Sequence, residues 1–257
     1  MTAITDATDI TGVKDKAVLV TGGTKGIGRS VALAFAAAGA SVAVSYAADE
    51  AAAARLGAEL GAFGARHLTV RSDSARPERI RELFARVKAE FGRIDVVVAN
   101  AGIELIDTPM TEVSDADVDR LLDLNVRGTF YTLREAARAL EDDGRILVTG
   151  STIALNAPAG ASLYAATKGA LKPMVQALAR ELGPRRITAN LISPGVVEGA
   201  GVIRDLPRER IDEFAALNPL GRQARPDDIG PVAVFLASRG AAFVNGQAIA
   251  VDGGSFM

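Results

Sequence analysis

Thr21-Gly22-Gly23-Thr24-Lys25-Gly26-Ile27-Gly28 lies between the apolar run Ala17-Val18-Leu19-Val20 and an Ala-rich segment of helical period over residues 31–38. A strand, a glycine turn and a helix in that order bring main-chain N–H groups and the positive end of a helix dipole to one point. Glycine lets the backbone turn sharply there and lets a pyrophosphate come close to the main chain. Spacing separates three nucleotide motifs. Residues 23–30 match a triphosphate-binding loop except at Arg29, where the motif needs lysine as a compact charge for the β/γ-phosphates. The G-x-G-x-x-G pattern fails because Val31 occupies the place of its last glycine. The pattern T-G-x-x-x-G-x-G fits.

Working outward, short apolar runs alternate with helix-period segments along the chain. Strands are expected at 17–20, 41–45, 67–70, 94–98, 145–148, 187–192 and 248–251, and helices at 31–38, 49–60, 77–91, 163–182 and 227–237. Strands joined through helices of this length need crossover connections, hence a parallel sheet with helices on both faces. Such strands are covered on both sides, so they read as apolar without alternation. No linker or repeat divides the chain. The expected architecture is one α/β domain over residues 15–257, a doubly wound seven-stranded parallel sheet, preceded by a flexible arm at 1–14. Pro173 falls within a helical segment and predicts a bend near it; Pro231 disturbs a second helix.

Composition removes several classes of function. The chain has 257 residues, a net charge of −2 and no cysteine, which excludes a disulfide scaffold, thiol chemistry and cysteine-ligated zinc. The single histidine, His67, excludes a multi-histidine metal centre. The charge balance argues against nucleic acid as a partner. No apolar run reaches the roughly 18 residues of a membrane span. The start of the chain lacks the basic-then-apolar order of a secretion signal, so a cytoplasmic protein is the expectation.

Tyr164-Ala165-Ala166-Thr167-Lys168 places a phenol and an ammonium on one helix face, a turn apart. With 3 Tyr and 6 Lys in the chain, chance pairs at this spacing number about 0.07, so the pairing carries weight. A tyrosine of ordinary pKa is a weak acid or base at neutral pH, and a nearby cation is expected to lower that pKa. Ser151, at the exit of the 145–148 strand, offers a hydroxyl to a carbonyl oxygen that gains charge. A serine hydrolase would need a base beside it, and His67 belongs to no such motif.

With these residues in place the sequence resembles the short-chain dehydrogenase/reductase family, whose glycines fall on Gly22, Gly26 and Gly28 with Thr21 leading. It is similar in particular to 3-oxoacyl-carrier-protein reductases. Asp73, Ala99-Asn100-Ala101-Gly102, Asn125, Ser151, Tyr164–Lys168, Pro194-Gly195 and Val251-Asp252-Gly253-Gly254 match in order over residues 15–257. The resemblance implies a Rossmann fold and a catalytic set of Asn125, Ser151, Tyr164 and Lys168, with Asn125 holding a water in a proton relay. It implies cofactor contacts from Gly22, Thr24, Lys25, Gly26, Ile27, Gly28, Ser45, Asp73, Ser74, Asn100, Ala101, Gly102, Tyr164, Lys168, Pro194, Gly195 and Val197. Ala99 replaces a common asparagine, Ser74 a common valine, and Gly199 the threonine that usually contacts the nicotinamide amide.

A dinucleotide site chooses its cofactor at the end of the second strand, where a carboxylate favours NAD and repels the phosphate of NADP. Here Val44-Ser45-Tyr46-Ala47 carries no carboxylate before Asp49, and Lys25 and Ser45 can serve a phosphate. NADP(H) is favoured, with NAD(H) possible. By resemblance, Glu104, Leu105, Leu155, Asn156 and Val196 line the substrate pocket, residues 198–217 form a lid, and four copies assemble with point-group D2 symmetry. The expected reaction is NADP(H)-dependent reduction of a ketone, a 3-oxoacyl thioester or other small carbonyl, with Tyr164 as general acid. An NAD-dependent alcohol or polyol dehydrogenase and a non-catalytic dinucleotide-binding regulator are the alternatives.

Overall fold

Every apolar run that reads as a strand in the sequence becomes one in the computed structural model, which describes residues 12–199, 201 and 208–255. Most of the expected arm, and residues 200 and 202–207 of the expected lid, lie outside the described residues. The strands are β1 (Ala17–Val20), β2 (Ser41–Tyr46), β3 (His67–Arg71), β4 (Val96–Ala99), β5 (Arg145–Thr149), β6 (Thr188–Pro194) and β7 (Ala248–Val251). They form one sheet in the order β3-β2-β1-β4-β5-β6-β7, and every neighbouring pair is parallel. The order reverses between β1 and β4, so a crevice opens beyond the carboxyl ends of these two strands.

The helices are α1 (Gly26–Ala37), α2 (Glu50–Ala62), α3 (Pro77–Phe91), α4 (Asp115–Leu121), α5 (Thr129–Ala139), α6 (Ser162–Gly169), α7 (Leu171–Glu181), α8 (Arg208–Ala216) and α9 (Pro226–Ala237). Side chains alternate along each strand, and the two faces bury into separate cores. Val18, Val20, Val42 and Val44 pack with Val31, Phe35, Leu56 and Ile229 of α1, α2 and α9. Leu19, Ala43, Val97 and Ile146 pack on the other side with Ile80, Leu83, Leu133 and Val175 of α3, α5 and α7. Both sets are apolar, which is why the strands show no alternation in sequence. Val13, in the segment expected as a loose arm, is fully buried in the first of these cores.

Two helical irregularities bear on the site. Near Pro173, where a bend is expected, the helical run is divided three residues earlier at Ala170, which itself keeps helical dihedrals. Pro173 then falls in the first turn of α7, where a missing N–H costs little. Between α4 and α5 the chain runs through Leu122–Gly128 as a π-helical turn. By contrast α9 runs through Pro231 as a single helix. It packs closely on α1 at Gly230, where a Cβ would stand 2.9 Å from the Ser30 carbonyl oxygen.

At the amino ends of β1 and β4, Asp95 is buried. Its Oδ2 accepts the Ala17 N–H at 2.9 Å, and its carboxylate pairs with Arg93 at 2.6 Å and Lys16 at 3.3 Å. Burial works to raise its pKa, but the bonds from Arg93 and the Ala17 N–H outweigh it and hold the group below the usual carboxylate range. The stability it contributes is therefore complete above that range and is lost as pH falls through the lowered value. Asp95→Ala is expected to cost about 1–3 kcal/mol at neutral pH, since the buried Ala17 N–H loses its acceptor while Arg93 and Lys16 still reach solvent. Urea unfolding at pH 7 and below pH 4 checks this: the difference between wild type and variant should shrink at the lower pH.

Candidate active site

The turn after β1 and the loop after β4 meet at the strand-order reversal. The Asn100 amide group donates to the carbonyls of Thr21 at 3.1 Å and Gly22 at 3.0 Å, and its carbonyl accepts the Thr149 hydroxyl at 3.1 Å. The Thr21 hydroxyl oxygen accepts the N–H groups of Asn100 at 3.0 Å and Ala101 at 3.2 Å. Gly22 has φ of 61°, and a Cβ there would lie 2.9 Å from Ala101 Cα. At Gly28 a Cβ would lie 2.5 Å from Asn100 Nδ2, so the start of α1 can approach the loop only without a side chain. The residue before α1, Lys25, provides no side-chain cap, and the first turn holds no acidic residue. Those N–H groups suit an anion from outside the chain.

Around this turn the sequence-predicted contacts divide. Thr24 is buried, Ile27 packs on the core beside α1, and Gly26 opens the helix. Ser45, expected to offer its hydroxyl to the cofactor, is fully buried; its Oγ accepts the Gly22 N–H at 3.4 Å and so braces the turn instead. The residues exposed at this strand exit are Ala47 and Ala48. Lys25, expected as a positive charge for a phosphate, is ion-paired with Asp49. Asp49 caps α2 by accepting the Ala52 N–H at 2.9 Å, and Lys25 followed by that N–H holds its carboxyl below the usual range. Asp73 is exposed after β3, with Oδ1 accepting the Ala75 N–H at 3.0 Å, and Ser74 is buried against the π-turn at Gly128.

Across the crevice, Tyr164 and Lys168 project from α6, and both are buried. Lys168 Nζ donates to the Thr149 carbonyl at 2.9 Å and stands 5.9 Å from the Tyr164 ring centroid. Burial, only partly offset by Glu104, lowers the Lys168 pKa to about 8. Tyr164 does not follow the expectation of a lowered pKa. Burial and then the Glu104 carboxylate push it well above its ordinary value, and the hydrogen bond with Ser151 opposes them without prevailing. The phenol is held protonated, the form that can give a proton away. Tyr164 Oη donates to Glu104 Oε1 at 3.5 Å. Ser151, at the exit of β5, accepts the Ile153 N–H at 3.3 Å.

Asn125 sits in the π-turn and is buried. Its Oδ1 accepts the Ile103 N–H at 2.9 Å, while Nδ2 donates to the Ile103 carbonyl at 2.8 Å and to Thr167 Oγ1 at 3.1 Å. Thr167 in turn donates to the Tyr164 carbonyl at 2.7 Å. Gly102 passes beside these groups: a Cβ there would lie 3.2 Å from Asn125 Oδ1 and 3.5 Å from Lys168 Nζ. Thus Asn100, Ala101, Gly102, Asn125, Ser151, Tyr164 and Lys168 gather at the carboxyl ends of β4 and β5, beside the open start of α1. Thr149 and Thr167 join them without any motif that marks them in sequence. His67 is exposed on β3, its Nδ1 3.0 Å from the Ala65 carbonyl oxygen, and takes no part.

A family model described as enoyl-(acyl carrier protein) reductase matches residues 22–255. The chain belongs to the short-chain dehydrogenase/reductase family. It is 36% identical over 258 residues to a hydroxynaphthalene reductase-like protein of Metarhizium brunneum, covering 93% of this chain and 94% of that protein. It is 35% identical over 253 residues to versicolorin reductase of Emericella nidulans, with 94% and 96% covered. The structure of a short-chain dehydrogenase from Burkholderia cenocepacia in complex with NADP superposes with a TM-score of 0.89 at 35% identity, over 95% of this chain and 99% of that one. As a short-chain dehydrogenase/reductase the chain is an oxidoreductase acting on CH–OH groups.

The remaining motif of this dehydrogenase/reductase follows β6. Pro194 ends that strand; the Gly195 N–H donates to the Val251 carbonyl at 3.2 Å, and Val197 is buried in an isolated bridge with Ala224. Gly199 has φ of 66°, which glycine adopts and threonine would resist. Among the described residues no cluster of His, Cys, Asp and Glu could hold a metal, and no helix is long and apolar enough to cross a membrane. Asn100→Ala removes three side-chain hydrogen bonds that tie β1, β4 and β5 together. Thermal and urea unfolding should show a loss of about 2–4 kcal/mol, at roughly 1 kcal/mol per bond plus stranded carbonyls.

Proposed function

We propose that this chain reduces a ketone to a secondary alcohol with NADPH, and that Tyr164 is the general acid. The observation that carries the reading is the Ser151–Tyr164–Lys168 cluster, with Tyr164 and Lys168 buried, Ser151 half-buried and the phenol kept protonated, beside a helix start without a cap. The residues fit a dinucleotide: the N–H groups of Gly26–Gly28 would hold its pyrophosphate, and Asn100–Gly102 and Val197 would border its nicotinamide end. The NADP in the Burkholderia cenocepacia structure supports this cofactor class. When bound, the cofactor supplies a hydride to the carbonyl carbon.

The chain's own residues do the rest. Ser151 orients the carbonyl oxygen and stabilises its growing charge. Tyr164 gives its phenolic proton to that oxygen. Lys168, charged below pH about 8, favours the phenolate left behind and would hold ribose hydroxyls. Asn125, fixed by Ile103 and Thr167, would hold the water that returns a proton from solvent. The substrate class is a ketone with an apolar body. The names of the reductase relatives favour a cyclic or aryl ketone, and a 3-oxoacyl thioester is the other candidate. Residues 198–217 would serve as the lid. Four copies would assemble, with the helical run 163–182 in one interface and the segment 251–257 near another.

The test is oxidation of NADPH with a panel of aryl ketones, cyclic ketones and 3-oxoacyl esters. Tyr164→Phe should lower kcat by at least about 100-fold, the lower end of the range for a positioned acid, while NADPH still binds. In wild type the reductive kcat/KM should fall as pH rises through about 8, because Lys168 loses its charge there. A rate that persists in Tyr164→Phe defeats the assignment.

An NAD-dependent alcohol dehydrogenase is the second reading, and one observation favours it: Asp49 faces Lys25 at the exit of β2. Asp49→Asn separates the two readings, since asparagine still caps α2 while leaving Lys25 unpaired. The NADPH-over-NADH preference in kcat/KM should rise several-fold in Asp49→Asn and fall about tenfold or more in Lys25→Ala, an effect that rising salt should weaken.

A further inference from the structure

Thr167 lies between Tyr164 and Lys168 on α6 and is buried where that helix packs against the π-turn of Asn125. The Tyr164 carbonyl can only accept, so the Thr167 hydroxyl must give it its one hydrogen, at 2.7 Å. A hydroxyl so committed can only accept from its other neighbour, and Asn125 Nδ2 donates to it at 3.1 Å. Ile103 enforces the same amide orientation. Its carbonyl takes the second hydrogen of Nδ2, and its N–H meets Oδ1. Every hydrogen of the Asn125 amide and of the Thr167 hydroxyl therefore has a partner. A buried polar network that is satisfied in this way rigidifies the elements it joins. One oxygen thus ties the helix of the phenol to a side chain 42 residues earlier in the chain.

We propose that Thr167 is a positioning residue for proton transfer: its hydroxyl clamps the helix of Tyr164 to Asn125 and so fixes the distance over which the phenol regains its proton. The inference rests on the ketone-reductase reading above, in which Asn125 holds the water of the relay. Thr167 acts through Asn125 and the Tyr164 peptide group, because its hydroxyl is spent on them. With packing alone between α6 and the π-turn, the helix is free to shift, and a displacement of about 1 Å at such a site costs about 100-fold in rate. Threonine suits the place. Its Oγ1 reaches the carbonyl three residues back, and its branched Cβ leaves few rotamers. Serine keeps both bonds, whereas valine keeps the shape and loses them.

Thr167→Val and Thr167→Ser are compared with wild type on the ketone of the panel above that wild type reduces fastest. Thr167→Val should lower kcat by about tenfold or more, while the Kd of NADPH changes by less than about threefold. Thr167→Ser should hold kcat within about threefold of wild type, since it keeps the hydroxyl. The solvent deuterium isotope effect on kcat should rise in Thr167→Val, because proton return is the step that slows. A smaller fraction of folded enzyme leaves that effect unchanged. In an Asn125→Ala background, Thr167→Val should cost less than about a further twofold, because residues acting through one another are not additive.

A kcat near that of wild type in folded Thr167→Val overturns the inference and leaves the reductase reading intact. So does a lowered kcat with an unchanged solvent isotope effect. If Thr167→Val melts below the assay temperature, Thr167→Ser decides: a kcat near wild type at a lowered melting temperature supports the clamp, and a loss of about tenfold or more overturns it. If wild type binds NADPH and reduces no ketone of the panel, the reductase reading falls and this inference falls with it.

Discussion

Asn100 bonds to three strand ends at once. Its amide group holds the carbonyls that follow β1, and its carbonyl takes the hydroxyl that closes β5, while its own backbone continues β4. Parallel strands leave their carboxyl ends unpaired together, so a sheet that reverses its order needs polar groups to close the gap. One side chain meets that need here, and the functional groups hang from it. The Thr149 that bonds Asn100 through its hydroxyl bonds Lys168 through its carbonyl. The start of α1 reaches the same asparagine because Gly28 has no side chain. Loss of Asn100 would therefore loosen the cofactor turn and the catalytic lysine together.

Burial sets the electrostatics of the site. Desolvation disfavours charge on both members of the Tyr164–Lys168 pair, raising the phenol and lowering the ammonium. The i,i+4 spacing predicts the pairing of the two side chains but not that outcome, because the ammonium is spent on a backbone carbonyl and a carboxylate stands nearer the phenol. The arrangement suits proton donation at neutral pH. It also makes the proton hard to lose until charge develops on a substrate oxygen beside Ser151.

Most of the sheet was legible in the sequence because both faces of the inner strands β1, β2, β4, β5 and β6 are covered, so each is a largely apolar run between a turn and a helix. The glycine turn, Tyr164, Lys168 and Ser151 were legible because their spacing along one turn or one strand exit already puts them together. The helical run through α4 and α5 was not read. Its π-turn shifts the phase of the buried positions, and polar or small residues, Asn125, Gly128, Thr129 and Thr132, interrupt the apolar stripe of Leu121, Leu133 and Ala136. The partners of Ser45 and Lys25 were not legible for another reason. A serine's direction depends on whether Gly22 lies across from it, and a lysine's charge on whether Asp49 has folded beside it. Neither is a local property of the chain.

The contact of α9 with α1 has a temporal side. Ile229, Ala233 and Leu236 cover the same core face as Val18, Val20, Val31 and Phe35, although about 200 residues separate them in the chain. A ribosome makes the uncovered half first and its cover near the end. During that interval an apolar sheet face stands open to water, and β1 with α1 can assemble locally without being sealed. Closure of that core waits for one late helix, and a nascent chain halted before it would leave an apolar face open to a chaperone.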